Sequence, residues 1–169
     1  LSNRTGTDYD YWVLKISATG EKIWSKNYGG TNDDRATSLI KTNDGGYAIS
    51  GYSKSNDGDV SGNGGFWDYW LLKIDSEGNK QWDRNFGFLG DDKSYKVIQT
   101  NDGGYFMTGY LDLANSDGQG DDIIDEDDSE TRNSQHGLGE YWAIKTDANG
   151  IKQWRKYFGG TDNDRSYDV

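Results

Sequence analysis

Tyr11-Trp12-Val13-Leu14-Lys15-Ile16 returns as Tyr69-Trp70-Leu71-Leu72-Lys73-Ile74, and a third time as Tyr141-Trp142-Ala143-Ile144-Lys145-Thr146. Self-similarity of this kind is the signature of a repeat architecture. Residues 11–52 align with 69–110 without a gap, and 21 of the 42 positions are identical. The copies begin 58 and 72 residues apart, and the 14 extra residues all fall in one connection, 53–68 in the first copy and 111–140 in the second. A scaffold of constant length that accepts insertion at one place presents that place on its surface.

Each copy reads as four strands. Arg35 to Thr42 and Tyr47 to Tyr52 flank Asn43-Asp44-Gly45-Gly46, whose Asx and Gly residues suit the positive φ of a tight hairpin. After the variable loop, Asp68 to Asp75 turns through Ser76-Glu77-Gly78 into Lys80 to Phe86. The next copy predicts strands at Lys93 to Thr100, Tyr105 to Tyr110, Glu140 to Thr146 and Lys152 to Phe158. No helical stripe appears anywhere.

The expected fold class is therefore all-β, made of four-stranded antiparallel blades of a β-propeller, with about three repeats forming an incomplete fragment of a larger ring. An open stack of the same repeats is the alternative. The expected divisions are 1–34 as the end of one blade with its link, 35–92 as a full blade with its link, 93–163 as a full blade with the acidic insertion 111–140, and 164–169 as the first strand of another. Three aromatic columns, Trp12/Trp70/Trp142, Trp24/Trp82/Trp154 and Tyr28/Phe86/Phe158, are expected in the core between blades.

Composition agrees with a folded, turn-rich chain. Among 169 residues the hydrophobic share is only 32%, with 24 glycines, yet aromatics reach 14%, whereas disordered chains are poor in aromatics. The formal net charge of -11 argues against a nucleic-acid partner, which needs a basic surface. Residues 111–140 hold ten acidic side chains against Arg132 alone. The absence of Cys removes disulfides and thiol chemistry. No apolar run approaches the roughly 20 residues that cross a bilayer, so membrane insertion is not expected.

The stretch Phe158-Gly159-Gly160-Thr161-Asp162-Asn163-Asp164-Arg165, its counterpart at Tyr28 to Arg35, the Asn-Asp-Gly-Gly-Tyr turn and the Tyr-Trp-x-x-Lys-Ile strand together resemble the tandem propeller repeats of large secreted bacterial surface proteins. Many of those proteins end in a type IX secretion sorting domain, so the resemblance implies a secreted or cell-surface location and contact with outer-membrane secretion machinery. Gly20 to Trp24, repeated at Gly78 to Trp82 and Gly150 to Trp154, looks like the Gly-x-x-x-Trp docking motif of quinoprotein-type propellers, where the Trp packs between blades. Neither resemblance brings catalytic residues.

Candidate sites are few. His136 stands in a polar loop with no nucleophile partner and reads as an ordinary solvated residue. The repeated acids Asp33/Asp34, Asp91/Asp92 and Asp164 are expected to cap turns by accepting backbone N–H bonds, with cation binding as the alternative. Asp117-Gly118-Gln119-Gly120-Asp121-Asp122-Ile123-Ile124 partly fits a calcium repeat, which makes Asp117, Asp121, Asp122, Asp125 and Asp127 candidate calcium ligands; a solvated acidic loop is the competing reading. Asn56-Asp57-Gly58-Asp59 is a weaker signal of the same kind. Phe66-Trp67, in a Gly-rich loop, is the candidate ligand platform, and a cover for the sheet edge is the bland alternative. The expected function is a non-catalytic module for structural support or for binding a protein or glycan through loops 53–68 and 111–140. The alternative is part of a carbohydrate-active propeller enzyme whose active site lies outside this segment.

Overall fold

The computed structural model describes residues 8–115 and 139–169. Ten strands and one 3-10 turn, Leu113–Asn115, make up its regular structure, and no α-helix occurs among the described residues. A two-stranded sheet pairs β1 (Tyr11–Ile16) with β2 (Lys22–Tyr28). The next sheet runs β3 (Asp34–Lys41), β4 (Tyr47–Ser53), β5 (Asp68–Ile74), β6 (Lys80–Phe86), and a second four-stranded sheet runs β7 (Lys93–Gln99), β8 (Tyr105–Leu111), β9 (Glu140–Thr146), β10 (Lys152–Phe158). Every neighbouring pair is antiparallel and consecutive in sequence. The strand ends expected for β3 to β10 hold to within one residue. The chain is thus all-β, built of antiparallel sheets.

The hairpin motif explains itself in bonds. Gly45, at φ 85, lets Gly45 N–H reach the Thr42 carbonyl (2.9 Å) while Thr42 N–H reaches that of Gly46 (3.0 Å). Asp44 locks the turn, accepting from Thr42 Oγ1 (2.5 Å) and Gly46 N–H (3.1 Å). Its other oxygen takes a 2.8 Å bond from Lys73 Nζ, the Lys of the Tyr-Trp-x-x-Lys-Ile strand. Asp102 and Lys145 repeat the arrangement at 2.9 Å. The two motifs therefore recur together because one supplies the counter-ion of the other.

The Lys73 ammonium, followed by the Thr42 hydroxyl, holds the Asp44 carboxyl at about 2. A depressed carboxylate contributes stability that is present above the usual carboxylate range and lost as pH falls toward its folded value. Lys73 is nearly buried, but the Asp44 side chain is 55% exposed, so water screens the pair. Asp44→Ala is expected to cost about 1 to 2 kcal/mol at pH 7. Thermal melts of the variant and the parent chain should draw together as pH approaches 2.

Alternation along β5 places the core. Trp70, Leu72 and Ile74 join Tyr11, Val13, Tyr28 and Ile49 in a cluster between the two-stranded sheet and the first four-stranded sheet. Tyr69 and Leu71, on the opposite face, join Met107, Trp142 and Ile144 in a cluster between the two four-stranded sheets. A strand covered on both faces reads as a continuous apolar run, as β5 does apart from Asp68 and Lys73.

The aromatic columns are only partly core. Trp70 and Trp142 are fully buried, whereas Trp12 is 65% exposed, on the face of β1 opposite Tyr11 and Val13. Phe158 is exposed as well, while Trp24, Trp82 and Trp154 are half-buried.

Contacts between successive sheets repeat residue by residue. Tyr11 Oη donates to the Trp70 carbonyl (3.1 Å), and Tyr69 Oη to that of Trp142 (3.2 Å). Thr37 and Tyr95 are bulged out at the same place in β3 and β7. Ser94 Oγ meets Ser50 Oγ at 3.3 Å, and Ser166 Oγ meets Thr108 Oγ1 at 3.3 Å. Residues 164–169 thus lie against β8 as β7 lies against β4. They form no ladder with the described residues.

Candidate functional site

Trp67 is held by its backbone before its ring does anything. Its N–H donates to the Gly90 carbonyl (3.2 Å) and its carbonyl accepts from Asp92 N–H (2.6 Å), forming a parallel bridge to Asp91 at the link between the two four-stranded sheets. The same bond recurs from Asp34 N–H to the Tyr9 carbonyl (2.7 Å) and from Asp164 N–H to that of Gly139 (2.9 Å). Trp67 therefore has counterparts at Tyr9 and Gly139, just before the stretch that shows the sequence repeat most clearly. Its ring is only 7% exposed and meets Tyr52 edge-on at 4.9 Å, while Phe66 beside it is 56% exposed.

Three cations converge on that indole. Lys54 Nζ lies 4.4 Å, the Arg35 guanidinium 5.6 Å and Lys93 Nζ 5.8 Å from its ring centroid. Lys54 also sits 3.7 Å over Phe66, and Arg35 sits 4.7 Å over Tyr9. Arg35 and Lys93 pair with Asp33 and Asp91, at 3.2 and 2.6 Å. The Tyr9 N–H, then Arg35, holds the Asp33 carboxyl below its usual range. Arg35, Lys93 and Arg165 occupy one repeat position, and Arg165 stands 4.9 Å over Tyr110. Tyr95 of β7 and Tyr167 of the segment 164–169 stack at 5.1 Å and extend the surface. A chain of net charge -11 thus carries a rim of regularly spaced basic groups interleaved with aromatic faces.

Asp34, Asp92 and Asp164 cap the links by accepting backbone N–H bonds, whereas Asp91 pairs with Lys93. Asp34 Oδ2 accepts from Gly30 N–H (2.8 Å), Asp92 Oδ2 from Phe88 N–H (2.7 Å) and Asp164 Oδ2 from Gly160 N–H (2.8 Å). The Ser53 and Ser55 hydroxyls also bond Asp34. Burial pushes the Asp92 carboxyl up to about 7 and that of Asp68 up to about 6, and Asp34 is raised for the same reason.

In the shorter loop, Asp57 Oδ1 accepts from Thr31 N–H (2.8 Å) and Asp59 Oδ2 from Gly29 N–H (3.4 Å), so both carboxylates brace the neighbouring link. Asp117, Asp121, Asp122, Asp125, Asp127 and His136 lie outside the described residues. Among the described residues no group of three or more His, Cys, Asp or Glu side chains is arranged to hold a metal ion.

A concavity of about 380 Å³ opens at the hairpin end, lined by Asn43, Asp44, Lys73, Gln81, Trp82 and Tyr105 among others. Lys73 bonds both Asp44 and Gln81 there (2.8 and 2.9 Å), so its polar groups are already committed to one another.

The rim escaped sequence reading because Lys54, Phe66 and Trp67 come from the variable loop while Arg35 and Lys93 come from two different strands. The available signal was a basic residue directly after Asp34, Asp92 and Asp164 in an acidic chain. No protein-family model matches this chain, and no curated protein is significantly similar to it.

Proposed function

We propose that the chain is a segment of a β-propeller and serves as a non-catalytic, secreted or cell-surface binding module that holds a carboxylated glycan on its basic-aromatic rim. The propeller reading is supported by the residue-by-residue repetition of contacts between successive sheets, which is what radially packed blades require. The location follows from the resemblance to secreted bacterial repeats.

The observation that carries the ligand class is the convergence of Lys54, Arg35 and Lys93 on Trp67 beside the exposed Phe66, with Arg165 repeating the basic position of Arg35 and Lys93 over Tyr110. Aromatic faces stack on the C–H face of a sugar ring, and the cations select its carboxylate. The two demands together favour a uronate-containing chain over a neutral one.

The test is calorimetric titration with an oligouronate and with a neutral oligosaccharide of equal length. Only the acidic sugar is expected to bind, more weakly as salt rises. Phe66→Ala and Lys54→Ala should each weaken it by about tenfold. Equal binding of both sugars, or of neither, would sink the reading. Recovery of the sugar intact separates a binding module from an enzyme.

A further inference from the structure

At each link between units, carboxylates gather around a glycine. A Cβ placed on Gly29 would overlap both Asp10 Oδ1 and Asp34 Oδ2, one placed on Gly87 would overlap Asp68 Oδ1, and one placed on Gly159 would overlap both Glu140 Oε2 and Asp164 Oδ2. Asp10, Asp68 and Glu140 share one repeat position, and Asp34, Asp92 and Asp164 share another. The gathering is therefore a property of the repeat.

The middle link is described most fully. Asp68 is 1% exposed and Asp92 is fully buried. Asp92 is satisfied, accepting from Phe88 N–H (2.7 Å) and Asp112 N–H (2.9 Å). Asp68 Oδ2 accepts from Gly64 N–H (2.7 Å), but Oδ1 is buried and accepts no hydrogen bond. Neither carboxylate has an ion pair with a Lys or Arg among the described residues. A Cβ on Gly65 would meet the Phe88 carbonyl oxygen and, at 2.8 Å, Asp68 Oδ1. Asp68 Oδ1, which accepts no hydrogen bond, and the Phe88 carbonyl oxygen thus both pack closely against Gly65, while Asp92 is bonded to the same link through the Phe88 N–H.

A buried carboxylate oxygen with no donor is costly, and a second buried acid beside it adds repulsion. A divalent cation removes both penalties at once. Calcium accepts mixed carboxylate and carbonyl oxygens in flexible geometry, and water fills the rest of its shell. We propose that Asp68, Asp92 and the Phe88 carbonyl bind a calcium ion that ties the β5 end of one sheet to the start of the next. The site is distinct from the acidic loop 121–130 and from the basic rim.

The experiment is calorimetric titration of calcium into the chelator-stripped 169-residue chain. The parent is compared with Asp68→Asn and with a chain in which residues 121–130 are replaced by a neutral linker. Asp68→Asn is expected to bind one calcium fewer than the parent, and the linker chain to keep that calcium. Asparagine has the same shape and removes a buried charge, so the calcium-free variant should melt no lower than the calcium-free parent. That melt keeps the comparison free of misfolding, and the calcium-induced rise in Tm should be smaller in the variant. Equal stoichiometry in parent and Asp68→Asn, loss of all binding in the linker chain, or no binding by the parent would each overturn the proposal. In the last case the two acids share a proton instead. No sugar enters the measurement, so failure of the glycan reading leaves its outcome intact.

Discussion

Trp70→Ala is expected to lower the unfolding free energy by about 3 to 5 kcal/mol, whereas Trp12→Ala should change it by no more than about 0.5 kcal/mol. The two tryptophans fill the same repeat position and begin nearly identical strands. Trp70, however, is fully buried, with its ring 4.3 Å from that of Tyr11 across the junction between sheets. Its indole N–H donates to Asp83 Oδ2 (3.1 Å), and that carboxylate also takes Ser61 N–H (2.9 Å) and pairs with Lys80 (2.9 Å). Burial works against ionisation of Asp83, but Lys80, Ser61 and Trp70 together hold its carboxyl below the usual range. Truncating Trp70 would open a cavity and remove a neutral donor from a buried charge. Truncating Trp12 would remove a ring that is already largely in water. Urea denaturation of both variants decides the matter, and similar losses would mean that Trp12 is covered in solution by something outside the described residues. Trp142→Ala should behave like Trp70→Ala, since its ring meets Tyr69 at 4.9 Å.

That contrast marks the boundary of what the sequence discloses. Strand positions were legible because alternation, Asn-Asp-Gly-Gly turns and repetition all point the same way. Burial was not, because identical motifs bury different amounts according to which neighbours exist. The rim was illegible for a related reason. Lys54 has Asp112 as its repeat counterpart, so the basic cluster around Trp67 depends on a position whose charge reverses between units. The buried carboxylates had a visible trace, an acid directly before each Tyr-Trp pair at Asp10, Asp68 and Glu140. At the start of a strand an acid normally reads as an exposed end, and only the glycine-lined link turns it inward.

Gly51→Ala is expected to destabilise the chain by about 3 kcal/mol, at the upper end of the cost of overpacking. Its Cβ would overlap the Arg35 carbonyl oxygen in the paired strand and come within 2.6 Å of Tyr11 Oη. The space over Gly51 is how the Tyr11 hydroxyl reaches the carbonyl of Trp70, the residue paired with Gly51 in register. Gly109 is enclosed in the same way by the Lys93 carbonyl and Tyr69 Oη (2.7 Å), so Gly109→Ala should cost a similar amount. A side chain can swing away from an added methyl, but a carbonyl in a ladder cannot move without breaking a strand pair. Tyr11→Phe combined with Gly51→Ala should therefore recover only a minor part of the loss. Full recovery in that double variant would show that the hydroxyl alone requires the glycine. Partial recovery would place the requirement in the backbone beside the Thr37 bulge, where β3 twists away from β4 and the sheet meets the next one. On that account each glycine is retained because it sits where three constraints coincide: a bulge, a ladder and an incoming tyrosine.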